Sequence, residues 1–345
     1  MKLVRFGAAG KEKPGIIDKN GKIRDLSKVV KDIDGEALSS AGLAKIKKAN
    51  IDKLALVKGN PRLGPCVARP SNFIAIGLNY ADHAAEAGMK LPPEPIIFNK
   101  ALSCICGPND NTITPKGSSK LDYEVELGIV IGKRCSYLKK EQAMGAVAGY
   151  FLSNDVSERV FQIERSGGQW NKGKGCESFG PIGPWFVTKD EVKDPQNLSM
   201  WLDVNGEKRQ RGSTKTMIFG CEHLVWYCSQ FFVMEPGDII ITGTPPGSHA
   251  ALRVSPRRPR ACIAVCICAD CARRRRTCSR AWHHCTPSSR VPRTCRCNAC
   301  VGRWRHKAKL ASSASAQRTR QARGRAPRTP GWLQDASWKL LGGRH

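Results

Sequence analysis

Residues 122–128 read DYEVELG, and in a strand the side chains of Glu124 and Glu126 point to one face while Val125, Leu127, Ile129 and Ile131 point to the other. Two carboxylates spaced this way repel each other, so they are either solvated at a sheet edge or held by a cation. Asp155 closes the run GYFLSND, where an apolar strand stops and a polar turn begins. It reads either as a turn or cap residue or as a third oxygen ligand. Three hard oxygen ligands, with the remaining shell left to water and substrate, suit Mg²⁺ or Mn²⁺ better than zinc.

Only two histidines, His83 and His223, fall in residues 1–247, so the search for a general base is short. His83 lies in GLNYADHAAEAG with Glu86 three residues on, which puts both on one face of a helical turn. A carboxylate beside an imidazole orients it and raises its basicity. An exposed His–Glu pair on a loop is the plainer alternative. His223 falls inside an apolar helical pattern and reads as a partly buried structural residue. GGQWNKGKGC sets Lys174 among glycines, and ITGTPPG offers Thr244 and nearby backbone N–H groups to an anion; either segment could also be an ordinary turn.

These side chains need elements to carry them. Short apolar pieces at Leu3–Phe6, Gly15–Asp18 and Lys22–Leu26, with Asn20-Gly21 as a type I′ hairpin signal, predict a small antiparallel β unit over residues 1–65. Leu38, Leu43, Ile46, Ile51 and Leu54 predict helix or irregular packing around it. From 70 to 247 the chain reads as a mainly β domain with some helix, an α+β fold. Its signals are a strand at Phe73–Gly77, a second hairpin around Asn205-Gly206, a helix over Met217–Val233 and a strand at Asp238–Thr242.

The 345 residues carry a formal net charge of +28, but unevenly. Residues 1–247 hold 34 Lys and Arg against 27 Asp and Glu, while 248–345 hold 23 against 2 and nine of the sixteen cysteines. The first part therefore lacks the strong basic excess of a nucleic-acid binder. No apolar run reaches the roughly 18 residues that span a bilayer. With no hydrophobic stretch behind the early cations, the expected location is the cytoplasm.

In this order, GLNYADHAAEAG, PPEPIIFNK, GPND, LDYEVELGIVIGK, GYFLSNDVSERVFQ, KGKG, FGPIGPW, VNGEKRQRGST and EPGDIIITGTPPG resemble the fumarylacetoacetate hydrolase family from about Asn72 to Gly247. The N-terminal stretch, ending in LGPC, is similar to bacterial members labelled ureidoglycolate lyase. The resemblance implies a mixed β-sandwich roll preceded by a small N-terminal β domain, assembled as a homodimer, and a small carboxylate substrate. It implies that Glu124, Glu126 and Asp155 are metal ligands and that His83 with Glu86 activates water. By the same match Lys174 steadies an enolate or oxyanion, Arg159 and Gln162 lie on the substrate side, and Tyr80 and Thr244 lie near the substrate carboxylate. The reactions implied are release of urea from ureidoglycolate, or C–C hydrolysis of an acylpyruvate or a 2,4-diketo-3-deoxy sugar acid. Ser157-Glu158-Arg159 and Cys176-Glu177 depart from the common pattern without touching the expected ligands.

After TGTPPG the family continues into closing strands, whereas residues 248–345 contain no Glu, Phe, Tyr or Met and 20 Arg against 3 Lys. That composition is what a GC-rich gene gives when read out of frame, so the tail is expected to be frameshifted, disordered and without the closing strands. The rival reading pairs Cys268-x-x-Cys271 with Cys297-x-x-Cys300 as a zinc site beside a phosphate-binding run, Arg273–Arg276. Nucleic acid is not the expected partner.

Overall fold

The computed structural model describes residues 1–248 and the backbone of two further strands, 260–268 and 300–309, within a compact unit that spans Met1–Ala311. Its main feature is a nine-stranded mixed sheet. The middle is formed by Val125–Ile131, flanked by antiparallel Val147–Asn154 on one side and Ile239–Ile241 on the other. Phe73–Gly77 runs parallel to Ile239–Ile241 and antiparallel to Ile96–Asn99 at one edge.

The N-terminal strands Lys2–Phe6, Lys13–Ile17 and Ile23–Asp25 do not stand apart as the small domain expected over 1–65. Lys2–Phe6 pairs with Phe186–Thr188, so the hairpins extend the large sheet at its other edge. The Asn20-Gly21 turn is not type I′, because only Gly21 has positive φ. Asp18 draws the chain into a tighter loop by accepting from the Asn20 and Lys22 amides. Asn205 and Gly206 both have positive φ, at 52° and 86°, as the type I′ turn between Ser199–Val204 and Glu207–Ser213 requires.

That second hairpin belongs to a five-stranded sheet, and apolar side chains of both sheets share one core: Ile74, Val125, Leu127 and Ile129 from the first, Met200, Leu202 and Val204 from the second. The helix Cys221–Ser229 adds Leu224 and Val225. It is shorter than the spacing over Met217–Val233 predicts, because Asn79 captures the backbone of Ile218 and Phe219 outside the helix. A second core on the opposite face holds Phe73, Phe98, Val130, Phe151 and Phe179 with N-terminal Leu3, Ile16 and Leu38. Val125–Ile131 is thus buried on both faces.

The five-stranded sheet also corrects the expectation that closing strands are missing. Arg260–Cys268 pairs with Ser199–Val204, and Cys300–Lys309 lies between Arg260–Cys268 and Asn111–Ile113. RACIAVCIC has β-branched residues at 263, 265 and 267, a pattern with strand propensity whatever its origin. Cys271, Cys297 and Arg273–Arg276, and the expected disorder of the remaining tail, lie outside the described residues.

Gly128 stands on the same face as Glu126, opposite Phe151 in the register, and a Cβ there would lie 2.2 Å from the Phe151 ring. Gly128→Ala should cost about 1–3 kcal/mol through overpacking, read as a fall in the urea midpoint; an unchanged midpoint would show that this face has slack.

Candidate active site

Antiparallel register explains why the three carboxylates meet. Glu124 immediately precedes the strand 125–131, Asp155 immediately follows the strand 147–154, and Ser153 is paired with Glu126 and Asn154 with Val125. One strand begins where its neighbour ends, so their flanking residues share a sheet end. The Asp155 amide donates to the Glu124 carbonyl and the Glu124 amide to Asn154 Oδ1, both at 2.8 Å. Ligand oxygens of Glu124, Glu126 and Asp155 lie within 4.8 Å of one another, and all three residues are buried. The sequence left solvation at a sheet edge open; burial removes it.

Cations supplied by neighbouring segments compensate most of this charge. Lys174 ends the short helix Asn171–Lys174 and bridges Glu124 Oε2 at 2.6 Å and Asp155 Oδ2 at 2.7 Å. Lys100 follows the strand 96–99 and donates to Asp155 Oδ1 at 2.5 Å and to the Lys174 carbonyl. Arg159 donates to Glu124 Oε1 at 2.5 Å, to Asp122 Oδ2 at 2.9 Å and to Gln162 Oε1 at 2.8 Å. Burial would raise the Glu124 carboxyl, but Arg159 and Lys174 overcome it and hold that group far below its usual range.

Glu126 is the exception. Among the described residues its hydrogen-bond partner is the Gly243 amide, at 2.7 Å, and no cation pairs with it. Burial, followed by the charges of Asp155 and Glu124, pushes its carboxyl well above the ordinary value. Among the described residues and the contacts given above, Asp122, Glu124, Glu126 and Asp155 stand against Lys100, Arg159 and Lys174, and the carboxylate that no cation reaches is Glu126. A divalent cation fits this donor set: all oxygen, clustered on the scale of one coordination shell, and repulsive without it.

His83 and Glu86 meet: helix Ala81–Glu86 brings His83 Nδ1 to 3.3 Å from Glu86 Oε2, with His83 buried and Glu86 exposed. Glu86 also accepts from the Gly247 amide at 2.9 Å. The segment 243–247 therefore does present N–H groups to anions, and those anions are the protein's own Glu126 and Glu86.

Several expected substrate contacts have other occupations. The Thr244 hydroxyl donates to the Val125 carbonyl and accepts from Gln210 Nε2. Tyr80 is fully buried in the core with its hydroxyl on the Met200 sulfur. Arg159 and Gln162 are buried and engaged with the carboxylate cluster. His223 stacks between Phe219 and Tyr227, as a structural residue should. Sequence reasoning missed Lys100, Asp122, Asn154 and Gln210. For Lys100 the signal was a lysine closing the apolar run PIIFNK; Gln210, which accepts from the Val125 amide at 2.9 Å, had none.

A two-sheet roll with a buried acidic cluster at a strand end, tied through the segment 243–247 to a His–Glu pair, is the framework of an enzyme. The chain matches the fumarylacetoacetate (FAA) hydrolase C-terminal domain over residues 72–271, which extends past Gly247 into the strand 260–268. It belongs to the fumarylacetoacetate hydrolase family. A Burkholderia ambifaria protein named "Putative hydrolase" is 57% identical over 256 residues, 74% of this chain and 90% of that one. The structure of a fumarylacetoacetate hydrolase from Exiguobacterium antarcticum is 28% identical, with TM-score 0.69 over 90% of this chain and 100% of its own. Maleylpyruvate hydrolase from Sphingobium sp. SYK-6, in complex with manganese(II) ion and pyruvate, is 26% identical, with TM-score 0.64 over 77% of this chain and 95% of its own.

Lys100→Met should destabilise the fold by about 3–5 kcal/mol, because it removes one of the two cations on a buried carboxylate and widens the excess of negative charge. Adding Asp155→Asn should recover part of that loss. Urea unfolding of the two variants checks this, and a loss below about 1 kcal/mol for Lys100→Met would refute the charge-excess account.

Proposed function

We propose that the protein is a Mg²⁺- or Mn²⁺-dependent hydrolase that cleaves the C–C bond of an acylpyruvate carrying a second carboxylate at its acyl end. The observation that carries the reading is the Glu126 carboxylate, clustered with Glu124 and Asp155 and paired with no cation among the described residues. The likeness to a maleylpyruvate hydrolase supports the substrate class, since maleylpyruvate is a 2,4-dioxo acid with a carboxylate at each end.

Glu124, Glu126 and Asp155 would hold the ion, which when bound polarises the oxygens of a 2-oxo acid. The chain's own groups handle the proton and the developing charge. With the Nδ1 proton shared with Glu86, Nε2 of His83 is the basic nitrogen and takes a proton from the attacking water. Water adds to the acyl carbonyl, the bond to the pyruvate methylene breaks, and the electron pair leaves as pyruvate enolate. Two Lys174 N–H groups are spent on Glu124 and Asp155, which leaves the third for the enolate oxygen. Ureidoglycolate, favoured by the N-terminal resemblance, would present a carboxylate and a hydroxyl to the same ion; its cleavage would expel urea.

Turnover of maleylpyruvate and ureidoglycolate, each with Mg²⁺ or Mn²⁺, separates the two reactions. His83→Ala should lower kcat/KM about 10²–10⁴-fold, and Glu126→Gln should abolish the metal-dependent turnover. Full metal-dependent activity in Glu126→Gln would end the assignment of Glu126 as a ligand.

The raised Glu126 pKa has a sign that can be tested. A protonated carboxyl must lose its proton to bind a cation, so metal binding releases a proton and strengthens as pH rises. Below the Glu126 titration, log K for Mn²⁺ should climb by about one per pH unit and then level off. Calorimetry in two buffers of different ionisation enthalpy reads the released proton directly.

A further inference from the structure

The strands Phe73–Gly77 and Ile239–Ile241 run parallel, so both finish at the sheet end where Val125–Ile131 starts and Val147–Asn154 finishes. The chain beyond the first leads into the helix of His83 and Glu86. Beyond the second comes Gly243, whose amide holds Glu126. Asn79 stands where these two continuations meet. Leu78, at a φ of 49°, turns the chain out of its strand through a region that few side chains adopt.

The Asn79 side chain is fully buried, and both of its N–H groups and its oxygen are engaged with backbone from other segments. Nδ2 donates to the Thr242 carbonyl at 2.9 Å and to the Phe219 carbonyl at 3.0 Å, and Oδ1 accepts from the Phe219 amide at 2.9 Å. Its main-chain carbonyl accepts from the Ile218 amide. Gly243 lies against it so closely that a Cβ there would stand 2.9 Å from the Asn79 Cβ, at a φ of 90° suited to glycine. A second contact secures the same helix further out: the Thr216 hydroxyl donates to Asp82, 3.1 Å from either carboxylate oxygen, and Asp82 immediately precedes His83.

We infer that Asn79 is a positioning residue: its carboxamide, with the Thr216–Asp82 contact beyond it, sets where His83 stands relative to Glu124, Glu126 and Asp155. This rests on the reading of His83 as the base. The segment 243–247 joins the same two halves through the exposed Glu86 carboxylate, whereas Asn79 joins their backbones inside the core. Thr242 is also anchored to the Leu127 carbonyl through its amide and its hydroxyl. Loss of the carboxamide therefore leaves the Glu126 side in place and frees the His83 side.

Asn79→Ala in the full chain with Mn²⁺ tests it. Turnover of maleylpyruvate should lose about 10²-fold in kcat, with KM and the Mn²⁺ dependence unchanged. In a His83→Ala background the same substitution should lower kcat no further, a non-additivity that general loosening of the fold would not produce. Paramagnetic broadening of the His83 ring signals by bound Mn²⁺, which falls steeply with distance, reads the displacement without turnover and should change in Asn79→Ala. Those signals are assigned by their loss in His83→Ala. Thr216→Val removes only the outer contact and serves where Asn79→Ala does not fold; the same pattern at smaller size is expected. In either variant, unaltered kcat and broadening, or an equal loss in the His83→Ala background, would overturn the assignment. If the unsubstituted chain turned over neither maleylpyruvate nor ureidoglycolate, the functional reading would fail, and the broadening would still decide whether Asn79 places His83.

Discussion

Four carboxylates and three cations meet around Glu124, out of contact with bulk water, and the arrangement of the chain follows from the need to make that tolerable. Removing an ionised group from water is costly unless a partner of opposite charge and several hydrogen bonds replace the solvent. Here Lys100, Arg159 and Lys174 come from separate segments, yet each reaches at least one carboxylate within 2.9 Å. Lys174 and Lys100 are also tied to each other through the Lys174 carbonyl. The network is nearly balanced, and its imbalance falls on Glu126, which sets that side chain apart chemically.

The sheet makes such crowding possible. Glu124 and Asp155 belong to neighbouring antiparallel strands whose starting and finishing ends coincide, so a single register places both, and their backbones bond directly. Cores on both faces of Val125–Ile131 leave that register little freedom, since a slip of one residue would turn Glu126 into the shared core. Packing energy spread over many apolar side chains thereby holds a few charged ones in an arrangement they would not adopt alone.

Much of this was legible in the amino-acid order, and the rest fails for physical reasons. Strand alternation placed Glu124 and Glu126 on one face, and the i, i+3 spacing joined His83 to Glu86, because both depend on neighbours in the chain. Lys100 lies 55 residues from Asp155 and Gln210 lies 85 from Val125, and no local pattern encodes such pairings. Local rules misled where a side chain competed for the backbone: Asp18 reshaped the Asn20-Gly21 turn, and Asn79 shortened the helix after Phe219. Composition was a poor guide beyond residue 248, where an unusual Arg and Cys content coexists with strands at 260–268 and 300–309.

The 243–247 segment fastens Glu126 at one end and Glu86 at the other through single backbone amides. It works as one latch on two carboxylates in different surroundings, one buried and one exposed. A compound that wedged beneath this latch and lifted it would release Glu126 and Glu86 from their backbone donors in one event. For inhibitor design that makes a five-residue loop a more economical target than either the acidic cluster or the histidine, since neither the charge of the first nor the basicity of the second need be matched.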